Sequence, residues 1–213
     1  MKKINVFLMS AIALVVIIVF SAFANRSSIE PELQKEVEET STEQQMVNLF
    51  VTHGHCSSPF SGKVENLEVI TSNRTDGGNP LEDMQMSFEI DPETFVTCSV
   101  EEITSRVQTP GVFINGEKKE NIKFKSTRVH TMGVDWYEVN GILSIKGVES
   151  DVKFFVSGIR NSKASMTSML VLEGQIDLSD WGIDYDLQVY GESNEHPTKW
   201  MHINMKINLP KAC

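Results

Sequence analysis

Met201-His202-Ile203-Asn204-Met205-Lys206-Ile207-Asn208-Leu209 is the stretch that decides the fold. Every second residue is apolar and the residues between are polar. Successive side chains of a strand point to opposite faces, so this run is a strand with one dry face and one wet face. A helix would need a period of 3.6 instead. The same alternation returns upstream. Met84, Met86, Phe88 and Ile90 share a parity against Gln85, Ser87 and Glu89. Tyr137, Val139, Leu143 and Ile145 form another row, with Gly141 inside it. Val152, Phe154 and Val156 make a shorter row. Leu170, Leu172, Ile176 and Leu178 make a longer one that includes Gly174.

Turn-forming clusters separate these rows: Asp76-Gly77-Gly78-Asn79-Pro80, Asn115-Gly116, and Gly191 through Pro197. One stretch reads as a helix. Val100, Ile103 and Val107 fall at i, i+3 and i+7, and Thr109-Pro110-Gly111 stops the run. About eight strands, each with one apolar face, and one short helix must be folded into a sandwich or a closed barrel. Near eight strands, a barrel is just wide enough for side chains or one slender ligand.

The chain has 213 residues, with 19 Lys and Arg against 29 Asp and Glu, a formal net charge of −10. That argues against a nucleic-acid binder, which needs a basic face, and disfavours docking by charge onto anionic lipid. A composition 40% hydrophobic and 23% charged fits a globular domain, neither disordered nor an integral membrane bundle. Three cysteines are too few for a disulfide-rich miniature fold or a zinc framework. Residues 1–24 read as an export signal. Lys2 and Lys3 precede the apolar run Ile4 to Phe20, and Ala22-Phe23-Ala24 has the small-x-small form of a cleavage site. The run is long for a signal, so an uncleaved inner-membrane anchor is the alternative. No cysteine follows the cleavage site closely enough for a lipoprotein; the first is Cys56. Residues 25–45 are acidic and polar and read as a tether. The folded domain is expected over 46–213, exported to the periplasm or an equivalent oxidising compartment.

Asn121-Ile122-Lys123-Phe124-Lys125-Ser126-Thr127, followed by Trp136-Tyr137-Glu138-Val139-Asn140-Gly141-Ile142-Leu143-Ser144-Ile145-Lys146-Gly147-Val148, resembles the YceI-like family of exported polyisoprenoid-binding proteins. Val152 to Val156 stands where that family has a short apolar strand. Asp180-Trp181-Gly182-Ile183 matches its acidic-aromatic-Gly-Ile turn, and Phe60-Ser61-Gly62-Lys63-Val64 its early F-x-G-x-hydrophobic segment. The resemblance covers roughly Leu49 to Leu209. It implies an all-β fold: an extended eight-stranded antiparallel β-barrel, lipocalin-like, with a long apolar tunnel. It also implies binding rather than catalysis. One departure is the opening Thr52-His53-Gly54-His55-Cys56, where the family often ends a strand in His-Ser.

The expected tunnel wall is Met84, Met86, Phe88, Ile122, Phe124, Tyr137, Leu143, Phe154, Leu170, Leu172, Met201, Ile203 and Met205. Any barrel core would use such residues. The four methionines add flexible thioethers suited to an adaptable surface. The expected partner is a long apolar molecule, such as a polyisoprenoid or quinone tail. Burying about ten of its carbons, at about 0.8 kcal/mol each, would supply most of a micromolar affinity before entropy losses. In an exported chain Cys56 and Cys98 read as a structural disulfide, worth about 3 to 4 kcal/mol. Cys213 is left odd. His53 and His55 share one strand face, which is half a metal site at best; a third ligand would have to come from His130, His196 or His202. No metal, cofactor or catalytic residue is expected. The chain lacks G-x-S-x-G, H-E-x-x-H, P-loop and dinucleotide patterns. Arg128 and His130 continue the inward parity of Ile122, Phe124 and Ser126, so either a bulge flips them outward or they meet a polar head group at the mouth. The alternative to a ligand carrier is a ligand-free envelope module with a filled core. Edge strands and Cys213 would allow a homodimer.

Overall fold

The computed structural model describes residues 45–53, 56–71, 81–97, 101–108, 110–116, 120–161 and 166–209. These residues form strands β1 (Met46–His53), β2 (Cys56–Ile70), β3 (Gln85–Thr97), β4 (Ile122–Gly133), β5 (Trp136–Ile145), β6 (Val148–Arg160), β7 (Thr167–Asp177) and β8 (Trp200–Asn208). Helix α1 (Glu101–Gln108) lies between β3 and β4. A 3-10 turn (Leu178–Trp181) and helix α2 (Tyr185–Tyr190) lie between β7 and β8. Each strand pairs antiparallel with the next, and β1 pairs with β8, placing Val47 opposite Met205 and Val51 opposite Met201. The result is a closed eight-stranded barrel, one of the two architectures that the period-two rows allow and the one that the family resemblance implies. Closure removes most of the edge on which strand-to-strand dimerisation would rest.

The up-and-down order gives the barrel two distinct ends. At the terminal end lie the start of β1, the β2–β3, β4–β5 and β6–β7 connections, and the end of β8. At the capped end lie the β1–β2 and β5–β6 hairpins together with α1, the 3-10 turn and α2. The β5–β6 hairpin turns on Lys146 and Gly147, both at positive φ (55° and 76°), as a two-residue turn of that hand demands. Val107 of α1, then Val112 and Phe113, and then Trp181, Ile183, Tyr185 and Val189 are all buried over the capped end. Phe60, Phe95 and Phe113 meet there, with ring centroids 5.2 to 5.9 Å apart. The Trp181 indole donates to the Leu143 carbonyl at 3.1 Å, tying this cap to β5.

Helix α2 departs from the sequence expectation of a single helix. Its six residues are too few for a helical period to show. Its boundaries are set chemically instead. The Asp184 carboxylate accepts from the Leu187 N–H at 3.0 Å, and Gly191 closes the helix at φ 87°. Asp177 starts the 3-10 turn in the same way, accepting from the Ser179 N–H at 3.0 Å and pairing with Lys199 at 2.9 Å. These contacts make the cap acid-sensitive. The Leu187 N–H and the Ser193 hydroxyl hold Asp184 below the usual carboxylate range. Burial pulls Asp177 upward, but Ser179 and Lys199 outweigh it and the net shift is down. A carboxyl depressed in the folded state stabilises that state above its unfolded pKa, and the contribution is lost as pH falls through the folded value. The urea midpoint should therefore fall as the protein is acidified below about pH 4. Asp184→Asn, which keeps the cap acceptor but not the titration, should flatten that slope. An unchanged slope would remove Asp184 from the account.

Arg128 and His130 are exposed, and a bulge is the reason. Ser126 faces Gly141 and Arg128 faces Asn140, so Thr127 is the extra residue and the parity of β4 reverses past it. Val129 turns inward and packs against the core in their place. The same bulge shortens the β3–β4 ladder to Ser87–Ile90 against Ile122–Lys125. Beyond it the Met86 N–H donates to the Ser126 hydroxyl at 2.9 Å instead of to backbone.

Residues 1–44, which carry the proposed signal and most of the tether, lie outside the described residues, as do His55, Asp76–Pro80, Cys98, Val100, Thr109 and Cys213. The Cys56–Cys98 pairing therefore lies outside them as well. No helix among the described residues is long and apolar enough to cross a membrane.

Candidate functional site: the barrel interior

All thirteen residues expected to line the barrel are buried, none more than 2% exposed. Twelve sit on strands with inward parity. Met84 lies just before β3, in the turn that leads into it, and is buried all the same. With so little surface left open, these side chains touch one another across the interior. Phe88 and Phe124 have centroids 5.0 Å apart, and Phe124 and Phe154 also 5.0 Å. This ring stack fills the middle of the barrel. Towards the terminal end the lining changes to Met84, Met86, Leu170, Leu172 and Met205, with Leu81 joining from the β2–β3 connection.

The rings fit because three glycines lie beneath them. A Cβ on Gly174 would stand 2.1 Å from Phe154 Cδ1, and one on Gly141 would stand 2.4 Å from Phe124 Cε2. A Cβ on Gly62 would stand 2.5 Å from Phe95 Cε1. Sequence reasoning placed Gly141 and Gly174 within apolar rows without giving them a role. The available signal was a glycine inside a strand pattern, which marks a close approach by something else.

Tyr137 carries the only hydroxyl among the thirteen. Its oxygen accepts from the Leu81 N–H at 3.3 Å. Burial pushes the phenol up, the Leu81 hydrogen bond opposes this, and the nearby Asp135 charge adds to it, so Tyr137 stays protonated. Beside it, Arg160 Nε donates to Asp135 Oδ2 at 2.6 Å. Asp135 Oδ1 is buried and has no hydrogen-bond partner among the described residues. Buried polar groups stand at both ends: Tyr137, Asp135 and Thr167 at the terminal end, Asp186 and Thr198 under the cap.

Clefts mark the outer wall. One of about 430 Å³ lies where β3 and β4 part, between Asp83–Gln85 and Ser126–Val129. Another, of about 900 Å³, runs between Phe50, His202, Glu173 and the Trp136–Phe155 pair. Of the histidines considered as metal ligands, His130 and His202 are exposed on β4 and β8, and His196 is exposed before β8. Among the described residues, no three His, Cys, Asp or Glu side chains gather in a metal-binding geometry.

Comparison with known proteins bears on this barrel directly. The model of the YceI-like domain matches residues 37–209. Among solved structures, BcnA from Burkholderia cenocepacia superposes with a TM-score of 0.55 at 15% identity, covering 76% of this chain and 94% of that one. A YCEI protein from Campylobacter jejuni gives a TM-score of 0.52 at 13% identity, covering 70% and 85%. At such identities the two structures speak for the fold alone. No curated protein sequence matches. The family match spans most of the chain and takes in every strand of the barrel, so this protein belongs to the YceI-like family.

Proposed function

We propose that this protein holds a long apolar chain, a polyisoprenoid or quinone-like tail, inside its barrel for sequestration or transport outside the cytoplasm, and that it does so by binding without catalysis. The observation that carries this reading is the lining. Thirteen inward side chains around a closed wall are apolar but for one phenol, which stands at the terminal end. Family membership supports the same ligand class. The interior is packed, so a bound chain has to displace side chains. Methionine thioethers move most readily, and Met84, Met86 and Met205 stand where displacement would begin. Tyr137 and Asp135 Oδ1 would then receive the polar end of the ligand.

The rings seated over Gly141 and Gly174 favour a second reading, in which the barrel is filled permanently by its own side chains. Native mass spectrometry separates the two. Protein isolated from its own host without detergent, then offered dissolved polyprenols, should carry an added mass of several hundred daltons that organic solvent releases. Met205→Trp, which adds bulk at the end where displacement would begin, should abolish uptake while the protein stays folded. A clean apo mass under both conditions would leave the filled barrel as the function-neutral answer.

A further inference from the structure

The terminal end carries a second feature that the ligand reading does not use. Val134, at the tip of the β4–β5 hairpin, is 72% exposed, and Met132 and Trp136 beside it are 46% and 45% exposed. On the neighbouring strand β6, Phe155 and Ile159 face outward, 37% and 45% exposed. These five side chains lie on one hairpin and the strand beside it. Trp136 pairs with Ser157, which places it between Phe155 and Ile159, and the Trp136 and Phe155 rings lie 6.2 Å apart. Exposed apolar residues at the capped end are arranged differently. Val96, Val148 and Trp200 sit on three separate strands, Leu187 and Tyr190 share α2, and Lys199 covers the Trp200 ring at 4.8 Å. Contiguous apolar surface is rare on a protein that stays in water, whereas isolated exposed residues are ordinary.

We propose that this patch is a membrane-docking surface, and that its occupant is the interfacial and upper acyl region of a lipid bilayer. Three observations select lipid over a protein partner. The chain enters β1 at this same end, so the polar tether joins the barrel there, and with it the run Ile4–Phe20 where that run is an uncleaved anchor rather than a cleaved signal. Asp135 in the hairpin tip is paired with Arg160, and of the two acids that flank Phe155, Glu138 is paired with Lys153 and Glu173 accepts from Asn204, so docking buries no carboxylate that lacks a partner. Arg128 and His130 of the hairpin stem are exposed and set back from the tip. A tip of Met, Val and Trp with charge set back from it is the arrangement of an interfacial anchor, in which tryptophan occupies the head-group boundary. The docking geometry stands apart from the ligand reading, although it would bring a membrane-borne chain to the end where the methionines lie.

Tryptophan emission tests the proposal in the full chain. The protein is placed on vesicles of phosphatidylcholine brominated in the acyl chains, with unbrominated vesicles as reference. Quenching is expected, lost in Trp136→Phe and kept in Trp200→Phe. Val134→Asp and Phe155→Ser should each lower the quenched fraction roughly three- to ten-fold, with circular dichroism unchanged. Absence of quenching in the unmodified protein, or quenching that survives Trp136→Phe, overturns the proposal. Uptake of dissolved polyprenol, measured without vesicles, reports on the ligand reading separately. Uptake without quenching would sink docking alone, and quenching without uptake would sink the carrier reading alone.

Discussion

Gly141→Ala is expected to cost the fold about 3 kcal/mol, the upper end for overpacking a core. The added Cβ would lie 2.5 Å from the Lys125 carbonyl oxygen as well as 2.4 Å from the Phe124 ring. A ring can tilt, but a carbonyl held in the β4–β5 ladder moves only with its strand. Replacing glycine with alanine also stiffens the unfolded chain, a gain of about 0.4 to 1 kcal/mol where the native site tolerates a Cβ. Here the clash outweighs that gain. For a domain of this size the loss corresponds to a fall of roughly 6 to 12 °C in melting temperature. Thermal and urea unfolding would report it. A variant melting within about 2 °C of the parent would show that the ring stack is far softer than its geometry implies.

Phe154→Ala should be costlier still, about 3 to 5 kcal/mol. The ring is fully buried, stacks edge-on against Phe124, and occupies the space above Gly174. Removing it leaves an apolar hole in the middle of the barrel, and such holes stay dry and accept apolar guests. The loss should therefore be partly recovered when polyprenol is added: a ligand at about a hundred times its dissociation constant returns about 2.7 kcal/mol. Gly174→Ala provides the cross-check. It should be strongly destabilising alone yet far milder in a Phe154→Leu background, a coupling of about 1 kcal/mol or more by double-mutant cycle. Additive effects would mean that the ring and the glycine do not share the space the distances assign them.

The strands were legible because burial on one face writes a period of two into the chain. Tyr137 through Ile145 and Met201 through Leu209 show it without interruption, and both rows face inward. The irregularity at Arg128 was legible as well, since an inward arginine on an otherwise apolar row is too costly to leave standing. What resisted reading depends on pairing rather than periodicity. Helix α2 is defined by two caps, not by a repeat. The glycine–ring contacts lie between neighbouring strands, as with Phe154 opposite Gly174, and register cannot be taken from one strand alone. The short β3–β4 ladder has the same origin: only the partner strand reveals where the hydrogen bonds stop. The Trp136–Phe155 patch was hidden because an exposed tryptophan in a sequence looks like any other.

The pairing of β1 with β8 also orders events in the life of the chain. Six strands lie between the first strand of the ring and its closing partner. No intermediate that lacks β8 can complete the ring, and until that strand docks β1 and β7 each keep an open edge able to recruit another chain. Contacts this distant in sequence also form slowly. The folding protein therefore passes through an interval, set by its own topology, in which it must be kept apart from its neighbours until β8 has closed on β1.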